Sequence, residues 1–334
     1  MGDPAGLHDP QARVRRGRLT KRRILKDIPA LRFGEGHDCT LPAALAVATG
    51  GDYDWLMGCS GAAFTTTIDE ASWDPLAATP RDSDARSRMA AAAGVRLDPV
   101  EPPFDDEMRA LVLDRVIEGI DAHLPPIELG IAGPEYGLVI GYDDEAPTFY
   151  LRTFFDKDDD PRRAGWEAFE SEERGALGFV DRAVAPDRPR AVRDGIDVAI
   201  ASGEASDRAL ESWAGALRDD ARWSDVKHAG SAAFADHAMR AVLVDKRRAA
   251  ARFLRAARGL FANAPGGDLL RAAESCGYAA DAAAKGGLGP FDGGVAMRFV
   301  DPGHRRAFAK NLDGVRQHDA EARGALSSAR ASIR

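Results

Sequence analysis

Three cysteines and seven histidines are spread over 334 residues, and one stretch gathers the reactive types most densely. In "FGEGHDCTLPAALAVATGG", Phe33 to Gly51, Cys39 stands at the mouth of a helix. The signals are a polar start, Pro42 tolerated in the first turn, an alanine-rich apolar body and a Gly-Gly stop. A helix N-terminus favours the thiolate, so this placement predicts that Cys39 exposes its sulfur to the positive helix end and is the most reactive of the three thiols. A cysteine nucleophile also needs a base that later protonates the leaving group. His37 lies two residues before Cys39 and is positioned to fold back over the helix start. His123, His228 and His237 have no motif behind them.

Other constellations are weaker. Cys59 and Ser60, in "MGCSGAAF", lack the Gly-x-Ser-x-Gly spacing of a nucleophile elbow, and the residues after them read as a strand instead of a helix. They read as a tight turn whose backbone NH groups are candidates to hold an anion or a carbonyl oxygen. "DKDDDPRRAGWE" puts Asp156, Asp158, Asp160 and Glu167 at calcium-loop positions, but Pro161 stands where the sharp turn demands glycine. It reads as a hydrated acidic turn. The "His-Asp-Cys" triplet has no second ligand pair at zinc spacing, so no metal and no cofactor is expected. Cys276 shares an apolar helical face with Leu269, Ala273, Ala280 and Ala283 and reads as an inert packed thiol.

The elements that must position these residues are legible as patterns. "DYDWLMG" reads as a short helical turn, "SGAAFTTTID" as a strand, residues 81–94 as a helix, "VRLDPV" as a short strand and "FDDEMRALVLDRVIEGIDAH" as an amphipathic helix. "PPIELGI", "YGLVIGYDD" and "TFYLRTFFD" then read as adjacent antiparallel strands. After Pro189 the chain is alanine-rich and helical. Two seams there have a 4-3 spacing, Leu243 to Phe261 and Phe308 to Ile333, and each carries one charge, Arg247 and Asp319. Either the two charges pair across the bundle or one points into a site.

Composition bounds the rest. Hydrophobic content of 45% and charged content of 29% suit a globular chain with a full core. Three scattered cysteines suit free thiols in a reducing cytoplasm, and no apolar run suits a bilayer or a secretory signal. The net charge of −8 argues against nucleic-acid binding, although residues 1–30 hold eight Lys/Arg against three Asp. The division expected is a basic segment over 1–24, an α+β domain over 25–188 and an α-helical bundle over 189–334.

The order "GHDCTLPAAL", "PPIELGI", "EYGLVIGYDD", "TFYLRTFFD" resembles the papain-like fold in its peptidase C39-like form. More narrowly, "LMGCSGAAF", "PEYGLVIGYD", "LRTFFD" and "LVDKRRAAARFL" resemble the butirosin biosynthesis protein H N-terminal family. The resemblance implies an α+β papain-like domain with an antiparallel sheet, followed by helices. It puts Cys39 at the nucleophile and Asp156 at the orienting acid. The base position falls on Glu135-Tyr136-Gly137, where no histidine stands, leaving Glu135 as the candidate base. His37, Cys59, Ser60 and Tyr136 are the candidate substrate contacts. The resemblance leaves two functions open. One is a cysteine-dependent acyltransferase or amide-bond enzyme of specialised metabolism, acting on a small-molecule or carrier-protein-bound acyl substrate. The other is a catalytically silent relative that binds a small molecule, peptide or carrier protein in the cleft, with the helical part as its lid.

Overall fold

Strands β1 (Arg22–Ile24), β2 (Val95–Val100), β3 (Ile127–Leu129), β4 (Tyr136–Asp143), β5 (Thr148–Arg152), β6 (Arg162–Gly165) and β7 (Ala176–Arg182) form one antiparallel sheet in the computed structural model. It describes residues 22–333 apart from 81, 132, 144–147, 170–175, 185–186, 225, 262–263, 287 and 289–290. The strand order is β2-β7-β3-β4-β5-β6, and β1 pairs with the far half of β4, beyond β3. The three strands expected to be neighbours are neighbours: Leu138 faces Ile127 on one side and Arg152 on the other.

Two expectations need correction. "SGAAFTTTID" is no strand. It makes a 3-10 turn over Ala62–Phe64, whose surrounding carbonyls are taken by an arginine of a later helix. The sheet also has strands that pattern alone does not mark, because β1 and β6 are short and arginine-rich and β7 lies beyond an acidic stretch. The basic segment over 1–24 lies outside the described residues up to 21, and its end enters the sheet as β1.

Helix α1 (Thr40–Thr49) lies on one face of the sheet, its apolar body packed in one cluster with Tyr136, Leu138 and Ile140 of β4. Helices α2 (Tyr53–Cys59) and α3 (Ser83–Ala92) join that layer, while α4 (Asp106–Asp121) covers the opposite face through Val112, Val116 and Ile120. Acidic residues capping α2, α3 and α4 (Asp52, Asp82 and Asp105) each accept a backbone N–H of the first turn.

The chain continues as α5 (Arg188–Ala201), α6 (Gly203–Arg218), α7 (Val226–Ala257), α8 (Ala264–Ala284), the short α9 (Gly293–Arg298) and α10 (Pro302–Ser332). The first seam is buried from Leu243 to Ala257, where its helix ends, so Phe261 lies beyond it in extended backbone and half-buried. Every residue of the Phe308–Ile333 seam is buried, including Asp319, and Cys276 is buried with its apolar companions. One apolar core runs from α1 and the sheet through α7 into α10 without a break at 188/189. None of the described helices is long and apolar enough to cross a membrane.

The junction between α2, α5 and α7 rests on missing side chains. A Cβ at Gly195 would stand 2.3 Å from the Gly58 carbonyl oxygen, and one at Gly58 would stand 2.0 Å from the Phe253 ring. Because the first obstacle is backbone, Gly195→Ala must push the helices apart. It is expected to cost about 1–3 kcal/mol in urea unfolding. An unchanged midpoint would show that α5 is free to slide.

Candidate functional site

Cys39 is the residue before α1, in extended conformation (φ −86°, ψ 106°), and its side chain makes no capping bond. Pro42 is tolerated in the first turn because its missing N–H would be unpaired there anyway, and Gly50 closes the helix in the left-handed region at φ 67°. The expected exposed sulfur is not found. Cys39 is 0% exposed, because α7 crosses the head of α1 and brings Asp245 and Lys246 against it. Asp245 Oδ2 accepts the Asp38 N–H at 3.1 Å and the Tyr53 hydroxyl, and that hydroxyl in turn accepts the Cys39 N–H at 3.2 Å. Lys246 Nζ donates to the Ala78 carbonyl at 2.8 Å.

The electrostatics are set by burial. Desolvation pushes the Cys39 thiol far above its ordinary value, the Asp245 carboxylate adds to the effect and the Lys246 ammonium opposes it. Burial also raises Asp245 to about 6 and lowers Lys246 to about 8. The Tyr53 hydroxyl is raised by burial first, with Cys39 and Asp245 beside it adding to the rise. Near neutral pH this is a neutral thiol and a neutral phenol beside a carboxylate and an ammonium. Asp245 Oδ1 is buried with no hydrogen-bond partner.

The other candidates are placed around this centre but do not converge on the sulfur. Glu135 Oε2 accepts the Thr40 hydroxyl at 2.7 Å, and Thr40 Oγ1 accepts the Tyr136 N–H at 3.3 Å, which ties the start of β4 to the first turn of α1. Glu135 thus holds the residue next to Cys39 and is bonded to Thr40. Asp156 turns back on its own chain instead. Its two oxygens accept the Thr153 hydroxyl at 2.8 Å and the Thr153 N–H at 3.1 Å, with Arg152 Nη1 at 3.8 Å, so it closes the turn after β5. Gly137 has no room for a side chain, since a Cβ there would meet Glu128 Oε1 at 2.4 Å and the Arg152 carbonyl at 2.6 Å.

His37 packs at a tilt against Tyr53, ring centroids 4.6 Å apart, and both line a cavity of about 730 Å³ with Arg32, Glu35 and His123. Tyr136 lines a different cavity, about 380 Å³, between α3 and the sheet. His237 faces a third cavity among the later helices, and the side chain of His228 lies outside the described residues. The Cys59–Ser60 turn is engaged internally. Its Ser60, Gly61 and Ala62 N–H groups go to Leu56 O, Gly58 O and Ser60 Oγ, so they are not turned toward an anion, and Cys59 is buried against α5.

Sequence patterns do not single out Tyr53, Asp245, Lys246 or Glu128. A signal exists for two of them. "LVDKRRAAARFL" sets four consecutive charged residues, Asp245 to Arg248, into an apolar helix, and the first three are buried. Consecutive helical residues point about 100° apart, so three buried charges in a row require neighbours on most sides of α7. No family model matches the chain, and no curated protein matches it.

Proposed function

We propose that this protein is a catalytically silent relative of the papain-like cysteine enzymes, of the butirosin biosynthesis protein H N-terminal kind, that binds a polar small molecule beside the old nucleophile position. The order of parts supports the lineage: a cysteine opens the helix that lies on the sheet, Glu135 enters β4 beside that helix, and Asp156 comes after β5. The observation that carries the silent reading is the burial of Cys39 beneath Tyr53 and Asp245, with its thiol held protonated. A thiol attacks as thiolate, and this one is denied both ionisation and access. The cavity of about 730 Å³ that adjoins it through Tyr53 and His37 is walled by Asp27, Arg32, Glu35 and Arg182 as well, which suits a ligand with both donors and acceptors.

The test is alkylation of the native chain with iodoacetamide at pH 7.5, read by peptide mass. Cys39 is expected to react at least about 100-fold more slowly than a free cysteine, and to gain normal reactivity only in denaturant. Rapid labelling of Cys39 that persists below pH 7.5, together with an acyl adduct from a simple thioester that C39A abolishes, would establish the enzyme instead.

A further inference from the structure

We propose that the cavity enclosed by α7, α9 and α10 is a binding site for a small organic monoacid, its carboxylate held by Arg298 and His304 and its apolar body lodged against Phe299 and Phe308. The site is separate from Cys39 and independent of the silent-relative proposal. Its volume is about 230 Å³. That is below the range of about 300–1,000 Å³ typical of drug-sized ligands, and it suits a metabolite of about ten non-hydrogen atoms.

The polar groups around the cavity are not all spent. Asp236 is consumed: it holds Arg240 through contacts of 3.0, 3.1 and 3.2 Å and accepts the Trp213 Nε1–H at 2.8 Å. Asp292 caps α9 by accepting the Val295 N–H at 2.9 Å, and Asp301 caps α10 by accepting the Gly303 N–H at 2.8 Å. Every carboxylate facing this space therefore already has a structural task. Arg298 does not pair with any of them. It donates to the Gly286 carbonyl at 3.3 Å and has no carboxylate partner among the described residues. His304 Nε2 is buried with no hydrogen-bond partner, a state that costs about 1–3 kcal/mol unless something fills it.

The walls select an organic body over a bare ion. His304 packs edge-on to Phe308 at 4.4 Å between ring centroids, and Phe308 also touches Phe299 at 5.3 Å. The Phe308 ring is fixed from behind, since Gly286 (φ 108°) leaves only 1.9 Å between an added Cβ and the ring. Arg240 lies over the same ring at 4.5 Å. Burial, Arg298 and Arg240 all press the His304 imidazole below its ordinary value, a disfavoured cation that a bound carboxylate would relieve.

The probe is benzoate, titrated into the full chain by calorimetry at pH 6.5, with benzamide and inorganic phosphate as controls. Benzoate is expected to bind at least about tenfold more tightly than benzamide, and R298Q to lose at least about tenfold in affinity. Affinity should rise as the pH falls from 8 to 6, because the imidazole gains a proton beside the anion, and H304F should flatten that rise. The groups facing His304 are Asp236, His237 and Arg240 of α7, Asp292 and Arg298 at α9, and Asp301 before α10, so the slope is read as the difference between the unaltered chain and H304F. Arg298 is exposed, so R298Q is expected to fold, and its melting curve checks this. Absence of benzoate binding at about 20 mM, equal binding of benzamide or by R298Q, or tighter binding of phosphate would each overturn the proposal.

Discussion

Replacing Arg247 by methionine while Asp319 stays is expected to cost about 3–5 kcal/mol of unfolding free energy. The guanidinium is 1% exposed and spends its donors on two separate pieces of chain. Nε and Nη2 hold the two Asp319 oxygens of α10 at 2.8 and 2.6 Å. Nη1 donates to the Ala63 carbonyl at 2.9 Å, and Nη2 also donates to Thr66 Oγ1 at 2.7 Å. Without it, a carboxylate is stranded in the core and three further acceptors, the Ala63 and Thr65 carbonyls and Thr66 Oγ1, lose their donor. R247M/D319L should recover at least half of the loss, because the stranded charge is what dominates it. Urea unfolding monitored by circular dichroism measures both. A cost below about 1 kcal/mol for R247M would mean that water reaches Asp319 and that the seam is looser than its burial indicates.

Glu128→Gln is expected to stabilise the protein at pH 8, an unusual gain for removing a charge-bearing group. Burial pushes the Glu128 carboxyl from 4.5 up to about 8, with Asp156 adding to the rise and the Ile131 N–H and Arg162 opposing it. In the unfolded chain the carboxyl keeps its ordinary value. Between about 4.5 and about 8 the native state therefore holds a proton that the unfolded state has released. Stability falls as pH rises through this window and levels off above it, by about 3–5 kcal/mol at full extent. Glutamine keeps the acceptor that the Ile131 N–H uses at 3.0 Å and cannot ionise. Asp245 is also raised, to about 6, and contributes a loss of the same sign at lower pH. The readout is accordingly the difference between the wild-type and E128Q curves, which should grow from pH 5 to pH 8. Parallel curves would sink the prediction.

How much the sequence discloses depends on how locally each feature is determined. The seam from Phe308 to Ile333 is written in one helix and needs no other part of the chain, so periodicity finds it. The pairing of Arg247 with Asp319 is one of two arrangements that the seams allow, and the fold selects it. The strands β3, β4 and β5 are consecutive in space as in sequence, and their β-branched and aromatic runs mark them. β7 is different. It enters between β2 and β3 from residues far downstream, and only the assembled sheet reveals that register. The same logic separates the site residues. The place of Glu135 at the head of α1 is implied by the order of motifs. The sealing of Cys39 is not, because the cover arrives from Asp245 and Lys246, some two hundred residues later, and no spacing rule spans that gap. Helix-end arguments about thiol reactivity assume an open end, and here the end is shut.

The close seating of Phe253 on Gly58 also sets terms for how this sequence is able to change over time. A ring and an absent side chain form one lock. No side chain enters position 58 while the ring stays where it is, whereas a smaller residue at 253 opens a void that the glycine cannot fill. Divergence at this junction must then pass through Phe253 first, at the cost of a cavity, before position 58 is released. Gly195, pressed against the Gly58 backbone, gains nothing from that order, and stays fixed until α5 itself moves. Lineages descending from this chain are expected to exchange 58 and 253 as a couple and to hold 195 unless the angle of α5 is redrawn.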